Sequence, residues 1–248
     1  MYKERCVELN MKNAIVTGCA SGIGLAICKF FSNNGIKVYG IDKETIEIDK
    51  VEVYKCDISE EENVNEIISA IEKNEAQIHY LVNVVGVICR GKNIWEYSKK
   101  EWEEAFYNNF FSMMFMTNAC INMLKKATDA CIINISSEQS IYVKAYSSPY
   151  IISKAAVNYY TRLCALEMQE FNIRVNAIAL GTVKTNILKA IIDDDEVIER
   201  AYKKVEKSRT GLYYPEDVLP IVQLLISDSG KIINGQIIVA DGGKSLKS

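Results

Sequence analysis

Histidine is nearly absent from this chain: its 248 residues include one, His79 in Q-I-H-Y-L. Zinc sites draw on clustered histidine and cysteine, and the eight cysteines, at 6, 19, 28, 56, 89, 120, 131 and 164, form no C-x-x-C pair. No metal is expected, and His79 is assigned a structural role at the opening of a strand. The cysteines fall in apolar stretches such as A-C-I-I-N-I and R-L-C-A-L, where a reduced thiol behaves as a small hydrophobe. No apolar run reaches the ~20 residues a membrane-spanning helix requires. The polar start M-Y-K-E-R-C-V-E has no signal-peptide core, so the expected location is the cytoplasm, with no membrane partner. A basic block is missing too: the net charge is −3, which leaves nucleic acid no electrostatic footprint.

What the chain does have is a rhythm. Apolar runs of four to six residues alternate with longer helical patterns, as in βαβ units around a parallel sheet. Strands are predicted over 12–17, 37–41, 51–56, 78–83, 130–136, 174–179 and 236–239. Helices are predicted over 22–33, 60–74, 99–126, 150–171 and 215–226. The second helix follows D-I-S-E-E-E, where Ser59 is expected to cap and the acidic residues meet the positive helix end. About nine residues, D-K-E-T-I-E-I-D-K, join the second strand to the third, too few for a full crossover helix. One α/β domain over residues 1–248 is expected, with the charged, D-D-D-broken segment 184–209 as a candidate lid or an ordinary pair of solvated helices. The stretch F-F-S-M-M-F-M-T-N-A-C-I-N-M-L is too apolar for a helix with one buried stripe, which points to a second subunit.

The first strand runs into T-G-C-A-S-G-I-G, Thr17 to Gly24. Gly18, Gly22 and Gly24 permit a turn in which backbone N–H groups approach a pyrophosphate at a helix N-terminus, with Ser21 and Ile23 in the same loop. Asp42 ends the second strand, where a carboxylate accepts hydrogen bonds from both ribose hydroxyls and repels a 2′-phosphate. NAD(H) is therefore expected in preference to NADP(H), which Lys43 alongside keeps open. Asp57 and the backbone of Ile58, after the third strand, are candidates for adenine contact; Asp57 is equally a candidate helix cap. The expected architecture is a Rossmann-type doubly wound sheet of seven mainly parallel strands flanked by helices.

Ser137 ends N-I-S-S, and Tyr150 and Lys154 stand in S-P-Y-I-I-S-K. A hydroxyl, a phenol and an ammonium brought to one carbonyl make a proton-transfer site. A free phenol titrates near ~10, so as a base it needs nearby positive charge, and Lys154 lies one helical turn on.

Taken together these motifs resemble the short-chain dehydrogenase/reductase family over nearly the whole chain. T-G-x-x-x-G-I-G is similar to its cofactor loop, Asp57 to its adenine-site aspartate, and Y-I-I-S-K to its Tyr-x-x-x-Lys pair, with Ser137 the matching serine 13 residues earlier. Asn109 in W-E-E-A-F-Y-N-N-F resembles its asparagine, which implies a water-mediated proton path from Lys154. Asn83 and Gly86 match the N-N-A-G segment, where Val84 and Val85 replace Asn and Ala; Leu180-Gly181 replaces Pro-Gly. Gly181, Val183 and Thr185 match the nicotinamide loop, with Thr185 near the carboxamide. The short connection between strands two and three resembles the subgroup that includes 2,3-dihydro-2,3-dihydroxybenzoate dehydrogenase.

The resemblance implies NAD(H)-dependent interconversion of a secondary alcohol and a ketone, Tyr150 being base in oxidation and acid in reduction. It also implies a homotetramer, with a homodimer as the alternative. Arg90, Lys92, Gln139, Lys144 and Tyr146 are expected to line the pocket for an acidic or polyhydroxylated small molecule. A catalytically weak nucleotide-binding regulatory or structural protein of the same fold is the contrasting reading.

Overall fold

The structure, a computed structural model, describes residues 12–142, 144–190, 192–206 and 211–246. Cys6, residue 191 and residues 207–209 of the 184–209 segment lie outside the described residues. Seven strands form one all-parallel sheet: β1 (Asn13–Thr17), β2 (Lys37–Asp42), β3 (Val51–Lys55), β4 (Tyr80–Asn83), β5 (Cys131–Ser137), β6 (Arg174–Leu180) and β7 (Ile237–Ala240). Their spatial order is β3-β2-β1-β4-β5-β6-β7, so the order reverses between β1 and β4. All seven expected strands are present, with ends shifted by one or two residues. β1 and β5 are buried along their whole length, as a strand covered on both faces must be, whereas β3 at the edge has no fully buried residue.

The helices are α1 (Gly22–Asn33), α2 (Glu61–Glu72), α3 (Lys99–Phe106), α4 (Ser112–Lys126), α5 (Ser148–Glu167), α6 (Asp195–Glu206) and α7 (Leu219–Ile226). Two apolar layers result. One, around Leu81, Met116, Leu124 and Ile132, lies under α2, α4 and α5; the other, around Val16, Ile27, Phe31 and Val222, lies under α1 and α7. The link from β2 to β3 has no helix and closes in a tight turn, with Val51 N–H donating to Ile48 O. Ser59 does not cap α2. Glu60 is the N-cap residue and makes no side-chain cap bond, while Asp57 Oδ1 accepts from both the N–H and the hydroxyl of Ser59 at 3.0 and 2.7 Å. The acidic first turn survives as Glu61 and Glu62.

The long helix expected over 99–126 is interrupted by a π-turn, Tyr107–Phe111. Widening the helix by one residue carries Asn109 into the interior, where its amide bonds the β4 loop and α5. His79 is buried and accepts the backbone N–H of Asn13 at Nδ1, which requires a neutral ring. Burial and then the charge of Lys12 lower its pKa, consistent with that state. All seven described cysteines are free and all but Cys89 are buried.

Candidate active site

Reversal of the strand order opens a crevice at the carboxyl ends of β1 and β4, and two cavities fill it. The nucleotide-side cavity measures about 560 Å³ and the catalytic-side cavity about 540 Å³. They share Ile23, Val84, Gly86, Thr185 and Ile187 as common wall, so they form two ends of one cleft.

At the nucleotide end, Gly18 and Gly22 have left-handed φ angles of +68° and +53°, which a side chain would oppose. A β-carbon on Gly24 would lie 2.0 Å from Gly18 O, so only glycine lets α1 start this close to β1. The first turn of α1 carries no acidic residue, and its N-cap Ser21 makes no side-chain cap bond. Both features leave the positive helix end available to an anion. Asp42 Oδ2 accepts the N–H of Ala20 at 2.9 Å and Oδ1 that of Glu44 at 3.0 Å, which fixes the carboxylate at the cavity wall. Asp57 and Ile58 line the same cavity. This cradle fits a dinucleotide: Gly18 to Gly24 would hold the pyrophosphate, Asp42 the adenosine ribose, and Asp57 and Ile58 the adenine.

Two departures from the family pattern have structural answers. Thr17 Oγ1 accepts the backbone N–H groups of Val84 and Val85 at 3.0 and 3.4 Å, bonds that do not depend on the valine side chains. Leu180 extends β6 by ladder pairing with Ala240, and Gly181 N–H donates to Ala240 O at 2.9 Å. Asn83 faces inward and donates to Asn134 Oδ1 at 2.9 Å; it is absent from the lining of both cavities.

At the catalytic end Ser137 closes β5, and Tyr150 and Lys154 project from the first two turns of α5. Pro149 suits that first turn because its missing N–H has no helical partner there. Tyr150 is 8% exposed and Lys154 4%. Lys154 Nζ donates to Ile135 O at 2.9 Å, and burial pushes its pKa down to about 8. A β-carbon on Gly86 would lie 3.0 Å from Asn109 Oδ1 and 3.1 Å from Lys154 Nζ, so a bare backbone is needed between the two. Burial raises the Tyr150 pKa; Ser137 opposes the rise, Glu138 adds to it, and Arg90 draws it back down. Asn109 is buried, with Oδ1 accepting from Val87 N and Nδ2 donating to Val87 O and Ser153 Oγ.

Arg90, Gln139 and Lys144 line the catalytic-side cavity, as do Gly181, Val183 and Thr185. Lys92 is drawn away to Glu101 at 2.7 Å, and Tyr146 is 59% exposed; neither lines the cleft. One contributor had no signal in the sequence: Lys244 reaches back from the C-terminal segment to Glu138, at 2.5 Å. Tyr202 and Val205 enter the wall from α6, within the charged 184–209 segment. The Tyr202 hydroxyl donates to Thr185 O at 2.9 Å, tying α6 to the loop after β6.

A glycine cradle opening onto a buried serine–tyrosine–lysine group is the site of a nucleotide-dependent oxidoreductase. The family model described as enoyl-(acyl carrier protein) reductase matches residues 18–245. The chain belongs to the short-chain dehydrogenase/reductase family, oxidoreductases that act on CH–OH groups with nicotinamide nucleotides. It is 29% identical to cyclopentanol dehydrogenase of Comamonas sp., over 95% of this chain and 98% of that one. It is 27% identical to 2,3-dihydro-2,3-dihydroxybenzoate dehydrogenase of Bacillus subtilis, over 95% and 96%. Among solved structures, the ligand-free aldohexose dehydrogenase of Thermoplasma acidophilum superposes with a TM-score of 0.88 at 29% identity, covering 97% of this chain and 96% of that one.

Proposed function

We propose that this protein interconverts a secondary alcohol and a ketone with NAD(H), Tyr150 serving as general base in oxidation and general acid in reduction. The observation that carries the reading is the position of Tyr150: buried, beside Ser137, on the wall of a cavity continuous with the glycine cradle. When bound, the nicotinamide supplies the hydride acceptor or donor. The Ser137 hydroxyl donates to the substrate oxygen and holds it against the Tyr150 phenol while charge develops there. Lys154, kept in place by Ile135 O, brings a positive charge one helical turn from the phenol. Asn109 fixes the Val87 backbone and the Ser153 hydroxyl around that lysine and is a positioning residue.

NAD(H) is favoured because Asp42 and Glu44 line the cavity where the adenosine ribose would sit, two carboxylates against the single cation Lys43, and the loop from Gly18 to Gly24 holds no lysine or arginine to receive a 2′-phosphate. The chain is taken as one domain in which α6 acts as a lid over the catalytic end, in the cytoplasm. A homotetramer is supported by α5, whose outer face leaves Ile152, Tyr159, Leu163 and Leu166 open, the last 71% exposed. Phe110 and Phe111 of the π-turn lie beside it, Phe110 edge-on to Tyr160 at 5.7 Å.

Absorbance at 340 nm tests the activity, with a panel of secondary alcohols plus NAD and ketones plus NADH. Turnover with the NAD pair and weaker binding of NADP are expected. An inert panel with NADH still bound would favour a regulatory nucleotide-binding protein, and tighter binding of NADP would remove the role given to Asp42.

A further inference from the structure

Charge is distributed unevenly around the catalytic-side cavity. Among the described residues one carboxylate lines it, Glu138, whose side chain is 3% exposed and already engaged: Lys244 Nζ donates to Oε1 at 2.5 Å and the Tyr142 hydroxyl at 3.2 Å. Arg90 and Lys144 line the same cavity, and among the described residues no carboxylate oxygen comes within 4 Å of either.

The backbone ties together the two loops that carry these cations. Tyr146, at a left-handed φ of +66°, turns its carbonyl to accept both Gly91 N–H at 2.9 Å and the Tyr97 hydroxyl at 3.1 Å. One residue on, the Ser147 hydroxyl donates to Cys89 O at 2.5 Å. The loop carrying Arg90 is thereby stapled to the loop carrying Lys144. Although Lys144 keeps much of its length in solvent, its ammonium is destabilised by partial burial and by the charges of Lys244 and Arg90. Two exposed cations on stapled loops, lining one cavity beside apolar walls at Ile88, Leu188 and Val205, are relieved by an anion.

We propose that the alcohol or ketone taken by this site carries an anionic group, a carboxylate or a phosphate, held between Arg90 and Lys144. The proposal rests on the oxidoreductase reading and names the substrate class of the same site. The apolar body lies against Ile88, Leu188 and Val205, and the carbinol faces Ser137 and Tyr150. Lys92, ion-paired to Glu101 on the neighbouring stretch, takes no part.

Matched substrates test it: cyclohexanol against 3-hydroxycyclohexanecarboxylate, and glycerol against glycerol 3-phosphate, each with NAD at 340 nm. The anionic member of at least one pair is expected to have the higher kcat/KM by about tenfold or more, and the two pairs tell carboxylate from phosphate. That ratio should collapse in Arg90→Gln and in Lys144→Gln, chiefly through KM, and persist in Lys92→Gln. Neutral members used as well as anionic ones, or a ratio unchanged in both variants, would overturn the proposal. Retained NADH binding establishes that each variant is folded. Calorimetric titration of benzoate and of inorganic phosphate into the NADH complex gives a readout independent of turnover. Binding that is lost in both variants supports the anion site even if every alcohol proves inert, which would count against the oxidoreductase reading alone. No binding of either anion to the unaltered protein overturns the anion site.

Discussion

The two ends of the cleft are close in size and opposite in construction. The nucleotide end is built around the glycine loop, with the turns after β2 and β3 beside it, and its charges are mainly the carboxylates of Asp42, Glu44 and Asp57, with the cation Lys43 among them. The catalytic end is assembled from the loop after β4, from β5, α5, β6 and its following loop, α6 and the C-terminal segment, and its charges are mainly the cations Arg90, Lys144, Lys154, Lys204 and Lys244. A peptide loop that cradles a pyrophosphate needs only the right φ angles and no β-carbon. A site that moves a proton needs particular side chains whose pKa values depend on everything packed around them.

The sharpest way to break the comparison is at the catalytic end. Tyr150→Phe removes the oxygen proposed to transfer the proton and little else; turnover should fall by at least ~10²-fold with NADH affinity little changed. Steady-state rates and fluorescence titration check the two halves of that statement. Gly24→Ala attacks the other end. Its new methyl meets the Gly18 carbonyl, a backbone atom, so a loss of about 1–3 kcal/mol in thermal unfolding and weakened NADH binding are expected.

A pH profile sharpens the contrast further. Since burial raises the Tyr150 pKa, the base form is scarce at neutral pH, and kcat/KM for alcohol oxidation should rise with pH as the phenol deprotonates. Arg90 lowers that pKa, so in Arg90→Gln the alkaline limb should move to higher pH; a limb that stays or moves down would contradict a coupling between the guanidinium and the phenol. The smallest effect is expected from Tyr202→Phe, which deletes the bond to Thr185 O. It should cost about 0.5–1.5 kcal/mol in stability, seen as a lower urea midpoint.

Much of this was legible because it is local. The glycine loop, Asp42 and the Tyr150–Lys154 pair each occupy a short window whose spacing carries its geometry, and the central strands follow from burial on both faces. Elsewhere the information was nonlocal. Lys92 and Lys144 look alike as loop lysines, and only the partner Glu101 separates them. Lys244 lies 106 residues from Glu138, a distance no motif spans. The π-turn at Tyr107–Phe111 adds one residue to an unbroken helical pattern, a change that side-chain periodicity scarcely registers. Ser59 illustrates competition: the hydroxyl expected to cap α2 is taken instead by the Asp57 carboxylate.

The staple at Tyr146 acts through a carbonyl, which every amino acid carries, and through a left-handed φ, which glycine and asparagine adopt more readily than most. A protein engineer seeking new substrates can therefore randomise positions 90 and 144 without disturbing the clamp between their loops. Libraries at position 146 should retain glycine and asparagine and discard valine and isoleucine, whatever compound is used for selection.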